Sequence, residues 1–265
     1  MTNKYVEFFK MEIKEDLSDR SRFLIWIISK PIFMLINVII WTAIFSNSSN
    51  STIGGFSVEQ TINYFLFQSI FASLVFNNLS ERMGNRIYSG ELSTTLLKPV
   101  NIGISLTSKA LGGRVFSFFY ESLPTLLIGL IFFNFKIYSF PMLLISIFSL
   151  FLGLLINCFF SLSWSIMYFK MLNHWPFERI KRFVISFVSG FYIPLNFLPL
   201  IFQNVLKYLP FNYFSFEATR IFLNLYSYSQ VFQILLIQIF WVILLYLMFN
   251  FLFKKVVKKF EGVGS

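Results

Sequence analysis

The chain reads as an all-α membrane protein with six transmembrane helices, and three observations predict this. Of its 265 residues 56% are hydrophobic and only 13% charged, against roughly a quarter charged in soluble domains. The apolar residues fall into six runs near or above the ~20 residues that cross a bilayer. The 22 lysines and arginines gather at alternate ends of those runs. Backbone groups in lipid must be satisfied within their own segment, so runs of this length are expected to be helices.

Residues 1–21 come first and predict an amphipathic helix. Tyr5, Phe9, Ile13 and Leu17 recur at i, i+4 and form one apolar stripe among Lys4, Glu7, Lys10, Glu12, Lys14 and Asp16. A helix of this kind lies along a membrane surface; the competing reading is a solvated extension. The stretch is charged for too long to read as a cleavable signal. Spans are then expected at about 23–45, 58–79, 104–133 and 140–169. A fifth starts near 183 and is broken by Pro194 and Pro199, and a sixth covers about 231–253.

The connections carry the orientation. Nineteen of the 22 lysines and arginines lie before or at the start of the first run, between or near the second and third, between the fourth and fifth, or after the last. Lys136, Lys207 and Arg220 fall on the other side. Lys and Arg concentrate in cytoplasmic loops, so both termini are expected in the cytoplasm and the chain is expected to be a multi-pass protein of the cell membrane. The net charge of +10 is then a matter of topology and needs no nucleic-acid partner. Of the outer connections, 46–57 and 134–139 are short. Residues 195–229 are apolar in patches, contain Pro199 and Pro210, and are too broken to span. They predict a re-entrant helical hairpin, which is tolerated only where it packs on protein or lines a cavity; an amphipathic external loop is the alternative. No segment is long and polar enough to form a soluble domain, so residues 1–265 are expected to make a single transmembrane domain.

Little in the chain points to catalysis. There is no GxxxxGK[ST] phosphate loop. His174, the one histidine, falls in a cytoplasmic loop without a second metal-ligating residue, and Cys158 sits in an apolar run as inert packing. Ionisable residues inside spans are costly and are candidates for function. Arg114 and Glu121 are seven residues apart, two helical turns, and so share a face. For Glu121 a polar contact in a translocation path, a proton-linked carboxylate and a structural hydrogen bond all remain open. The fourth span carries Ser149, Gly153, Asn157, Ser161 and Ser165 four residues apart, a stripe suited to close helix packing or to a polar path wall. Ser186, Ser189 and Gly190 form a similar patch before Pro194, where a helix is expected to bend or end.

Between the second and third spans lies ERMGNRIYSGELSTTLLKPV, residues 81–100. Ile87, Leu92, Leu96 and Leu97 give it an apolar side, and Glu81, Arg82, Arg86, Glu91 and Lys98 a charged one. Gly90 marks a break or cap, and Pro99 stops the helix. A short cytoplasmic amphipathic element held between two spans suits contact with a cytoplasmic partner. The run Ile87, Gly90, Glu91, Leu92, Leu96, Leu97, Lys98, Pro99 resembles an I-x-x-G-E-L-x-x-x-L-L-[RK]-P pattern. That pattern is found in the bacterial branch of the six-helix permeases of ABC-2 type ATP-binding-cassette transporters. The opening FFKMEIKEDLSDRSRFLIWI is similar to the start of that branch.

The resemblance implies a non-enzymatic subunit with no cofactor of its own, ATP and Mg being bound by a separate ATP-binding subunit. Residues 1–21 would be an elbow helix and 81–99 the coupling-helix region. A second permease, identical or related, would complete a twelve-helix exporter embedded in membrane lipid. Candidate residues of the path or interface are Arg114, Glu121, Asn157, Ser161, Ser165, Ser186 and Ser189. An ion-coupled secondary transporter is the alternative, weakened by the single plausible intramembrane carboxylate and the lack of a repeat. Walls of Phe, Ile and Leu with scattered Ser and Asn favour an amphipathic or lipid-like cargo.

Overall fold

Helices begin here where apolar runs meet a capping residue and end where glycine or proline breaks them. The computed structural model describes residues 4–18, 20–49, 51–97, 99–133, 137–171 and 173–258. Among these the α-helices are α1 (Lys4–Ser18), α2 (Arg20–Ser46), α3 (Val58–Val75), α4 (Leu79–Tyr88), α5 (Glu91–Leu96), α6 (Ile102–Ser117), α7 (Leu123–Phe132), α8 (Phe140–Ser165), α9 (Trp175–Val188), α10 (Leu200–Leu206), α11 (Phe216–Phe222) and α12 (Tyr228–Val257). Residues 1–3 and 19 of the N-terminal segment, and Lys98 and Lys259, lie outside the described residues.

Among the described residues four continuous stretches are long and apolar enough to cross a membrane: Ile25–Ser46, Ile102–Phe132, Phe140–Lys170 and Tyr228–Val257. The expected second and fifth spans are also helical but differ in kind. α3 opens with a reciprocal cap in which Gln60 N–H donates to the Ser57 hydroxyl and Ser57 N–H to the Gln60 side chain. It is buried nearly all round and carries Asn63, Gln68, Ser69 and Ser73 on buried sides. A helix wrapped by other helices needs no lipid-compatible surface, which lowers its apolarity. α9 has 14 residues and ends two residues before Gly190, whose φ is +78°.

The third span is not a uniform helix. α6 passes through a π turn, Phe118–Ser122, into α7. Pro124 stands just after that turn. It has no N–H to give to the preceding turn and its ring crowds the carbonyl four residues back, so the helix widens by one residue there. Such single π turns recur at functional sites.

α1 runs beside α6 in the same direction. Lys4 donates to the Pro99 carbonyl, Asn101 N–H to the Tyr5 hydroxyl at 3.3 Å, and Lys109 is 3.1 Å from Glu15. Gly112 makes the approach possible, since a Cβ there would run into the Phe9 carbonyl. The side of α1 that faces the bundle includes Glu12, only 1% exposed, and Asp16, while Leu17 is 60% exposed. The expected apolar stripe is therefore only part of the packed face. The Glu12 carboxylate completes it because α6 and α4 present Lys109 and Arg82 to it.

α8 is the central post, with α12, α11, α4 and α3 packed round it. Gly153 admits the Phe214 carbonyl of the turn before α11. Gln238 of α12 donates to the Ser149 carbonyl at 3.0 Å and to the Tyr213 carbonyl at 3.0 Å, and accepts from the Ser149 hydroxyl at 2.9 Å. Residues 195–229 thus fold back onto the bundle through α11, while Leu200, Ile201, Phe202 and Tyr208 around α10 stay exposed. α2 and α12 bury one side each and leave Ile28, Ile32, Ile39, Phe232, Phe240 and Phe251 exposed. An apolar exterior of this kind is stable only against lipid or another apolar surface.

Candidate functional site: a charged cleft and its cytoplasmic handle

α3 ends at Val75, and its last carbonyls need donors. Arg114 of α6 supplies them: Nη1 donates to the Ser73 carbonyl at 2.9 Å and to the Phe76 carbonyl at 2.6 Å. Just beyond, Asn77 accepts from Leu79 N–H at 3.1 Å and donates to the Asn157 side chain of α8 at 2.7 Å; Ser161 donates to the same Asn157 oxygen at 3.4 Å. These contacts hold the α3–α4 junction open beside α8. A cleft of about 370 Å³ lies there, between α2, α3, α4, α6, the π turn, α8 and α9.

The cleft is charged. Lys30 of α2 lies 3.2 Å from Glu121 in the π turn and stands over the Trp26 ring at 5.2 Å. On α9, Glu178 is 3% exposed. It is 2.8 Å from Lys181 and accepts from the Ser80 hydroxyl at 2.8 Å and the Tyr168 hydroxyl at 2.6 Å. Lys181 donates to Ser80 as well. Burial alone would push the Glu178 carboxyl up, but the Lys181 ammonium and the three donors outweigh it and hold the group below the ordinary carboxylate range. At the edge, Arg182 pairs with Glu81 of α4 at 2.8 Å.

Of the candidate path residues, Arg114, Glu121, Asn157, Ser161 and Ser186 line this cleft. Ser165 and Ser189 do not: the first donates to the Leu162 carbonyl at 2.6 Å, the second to the Ser186 carbonyl at 3.3 Å. The stripe on α8 divides for a geometric reason. At 3.6 residues per turn, each four-residue step drifts about 40°. Ser149 and Gly153 therefore face α12 and the turn before α11, whereas Asn157 and Ser161 face the cleft.

Residues 81–99 form a handle attached to the cleft. In α4, Leu79, Ser80, Met83, Gly84 and Ile87 are buried. Its charges are paired: Glu81 with Arg182 at the surface, and Arg82 with the buried Glu12 of α1. Arg86 is half-buried. Tyr88 donates to the Met171 carbonyl at 2.6 Å and stacks on the His174 imidazole at 5.0 Å. His174 is buried, and a Cβ on Gly84 would come within 2.6 Å of its ring. Gly90, at φ +77°, then turns the chain into α5, a conformation open to glycine without strain. Leu92 is the buried anchor of α5. Glu91 is exposed, Leu96 half-buried and Leu97 86% exposed. Pro99 ends the segment at the surface. Among the described residues no group of three His, Cys, Asp or Glu is placed to hold a metal ion.

Sequence reasoning did not single out Glu12, Tyr168, Glu178 or Lys181. The i, i+3 spacing of Glu178 and Lys181 is visible in the sequence; the contacts from α1 and α4 are not.

Residues 32–264 match a family model described as ABC-2 family transporter protein. No curated protein matches the chain.

Proposed function

The chain belongs to the ABC-2 family of transporter membrane proteins, and from that premise we propose that it is the permease subunit of an ATP-driven exporter, worked by a separate ATP-binding subunit. The observation that carries this reading is the tip 90–97, exposed at Glu91 and Leu97, which is tied through α4 to a wall of a charged cleft and to α1. Glu81–Arg182 and the Ser80–Glu178–Lys181 cluster join α4 to α9, and Arg82–Glu12 joins it to α1.

In this reading the excess of Lys and Arg sets α4, α5 and both termini in the cytoplasm. Six segments cross the membrane, with α3 enclosed by its neighbours and α9 turning Glu178, Lys181 and Ile185 inward while Ile180, Phe183 and Val184 stay on its outer side. α1 is the elbow helix at the inner surface, and residues 195–229 dip into the outer leaflet and close the far end. ATP and Mg sit on the partner. When two ATP-binding subunits close, they press Glu91, Leu97 and Lys98. α5 moves with α4, because Leu92 and Ile87 are buried. The ion pairs then shift α9 against α2 and α8, changing the width of the cleft. A second copy or a related permease, seated against the exposed apolar faces, completes the path. An ion-coupled carrier needs a carboxylate free to cycle its proton, and Glu121 is held by Lys30.

The test is ATP hydrolysis by the chain reconstituted with an ATP-binding subunit. Gly90→Pro and Glu91→Lys should each cut the permease-dependent hydrolysis at least several-fold while the isolated ATP-binding subunit is unaffected. Unchanged association and hydrolysis in both variants would refute the coupling assignment.

A further inference from the structure

The charges that line the cleft do not balance. Among the described residues four cations face it, Lys30, Arg114, Lys181 and Arg182, against three carboxylates, Glu81, Glu121 and Glu178. Three of the cations are matched, each to one carboxylate within 3.2 Å. Arg114 is the remaining one. Both of its hydrogen bonds to described residues run from Nη1 to backbone carbonyls, and its buried Nε–H has no partner among those residues. Carbonyl dipoles offset part of the desolvation of a guanidinium but leave its charge uncompensated. A guanidinium fork is also the side chain best matched to a planar or tetrahedral oxyanion. Around it the walls are apolar and aromatic: Trp26, Phe76, Phe160, Phe191 and Tyr192 line the same space.

We infer that the cleft receives an amphiphile bearing one anionic head, carboxylate or phosphate, with the head at Arg114 and the apolar body against the aromatic walls. This rests on reading the cleft as the inner mouth of the path, and it adds the class of cargo. The Lys30–Glu121 pair is the second determinant. Glu121 pairs with Lys30, so Arg114 is left as the net positive charge of the cleft; an anionic head is attracted there and a cationic amphiphile is repelled.

The experiment is binding to the purified full-length chain in phosphatidylcholine nanodiscs, without nucleotide or partner. Four probes are used: myristate, myristoyl lysophosphatidate, tetradecyltrimethylammonium and inorganic phosphate. Either or both anionic amphiphiles should bind saturably and at least tenfold more tightly than the cationic one and than inorganic phosphate; which of them binds identifies the head. Arg114→Gln should weaken that binding on the order of ten- to a hundredfold, the loss expected for a charge-assisted hydrogen-bonded pair. Glu121→Gln should strengthen it several-fold by releasing Lys30, a change that misfolding cannot mimic. Equal affinity for the anionic and cationic chains, equal affinity for inorganic phosphate, or a Glu121→Gln variant that binds no better would each overturn the inference. Nucleotide is absent, so these outcomes are independent of ATP coupling. Loss of binding with hydrolysis still coupled removes only the cargo assignment, and binding without coupling removes only the permease reading.

Discussion

Removing the Glu178 carboxylate is the sharpest single perturbation of this fold. The group is 3% exposed, and its Lys181 partner is buried with it. Truncation to alanine leaves that ammonium without a counter-charge and takes the acceptor from the Tyr168 and Ser80 hydroxyls, at 2.6 and 2.8 Å in the parent. Breaking a buried ion pair by deleting one partner costs about 3–5 kcal/mol. At about 2–4 °C per kcal/mol for a domain of this size, Glu178→Ala should melt roughly 6–20 °C below the parent. Glu178→Gln keeps an acceptor oxygen and should lose about 1.5–3 kcal/mol, the contribution of hydrogen bonds to a charged group. Lys181→Met should behave like Glu178→Ala. The double change Glu178→Leu with Lys181→Met should lie within about 1 kcal/mol of the parent, since an apolar replacement of a buried pair is often neutral. The assay is the fraction of monodisperse protein remaining after heating in detergent, measured by size-exclusion chromatography. A Glu178→Ala protein melting within about 2 °C of the parent, or a double variant no better than the single ones, would refute the argument.

Other expectations follow from the same contacts. Gly84→Ala pushes a methyl into the His174 ring and should lose about 1–3 kcal/mol, the usual penalty of overpacking; His174→Ala in the same chain should recover most of it in the same heating assay. Gln68 accepts from Thr219 and donates to Ser215, each at 2.8 Å. Gln68→Leu should therefore loosen α11, seen as faster amide exchange over 210–223 with little change in α12. The Glu178 carboxyl lies below its ordinary value in the folded chain, so its contribution is complete above the unfolded value near 4.5 and fades as pH falls through the lower folded value. Melting temperature should drop more steeply below about pH 4.5 for the parent than for Glu178→Gln, and parallel curves would contradict the assignment.

How much of this could be read from the chain depends on the range of the interaction. Apolar length is local, so the first, third, fourth and sixth spans were legible to within a few residues. The same apolar runs at 58–79 and from 183 did not reveal that α3 is enclosed by other helices, or that α9 stops before Gly190. Lipid and protein neighbours demand similar side chains, and only the polar residues of α3 distinguish the two. The N-terminal stripe was legible, but not that Glu12 turns inward, because the cations that attract it lie on α4 and α6. Arg114 and Glu121 could be paired from their spacing, although the π turn before Pro124 makes that spacing other than two ordinary turns. Asn157 and Ser161 were visible as part of a stripe; the helical drift that sends them to the cleft and Ser149 elsewhere became clear only with neighbours in place. Glu81–Arg182 spans 101 residues, and nothing in a single chain's periodicity records a contact of that range.

The central claim is that the 90–97 tip is where a cytoplasmic ATP-binding subunit pushes. A cysteine in place of Leu97, with Cys158 buried and so unreactive, tests it by thiol cross-linking to that subunit in inside-out vesicles. Position 208, also exposed but in the segment between α10 and α11, is the control. A nucleotide-dependent cross-link from 97 and none from 208 is the expected result. A cross-link from 208 and none from 97 would contradict both the orientation and the handle.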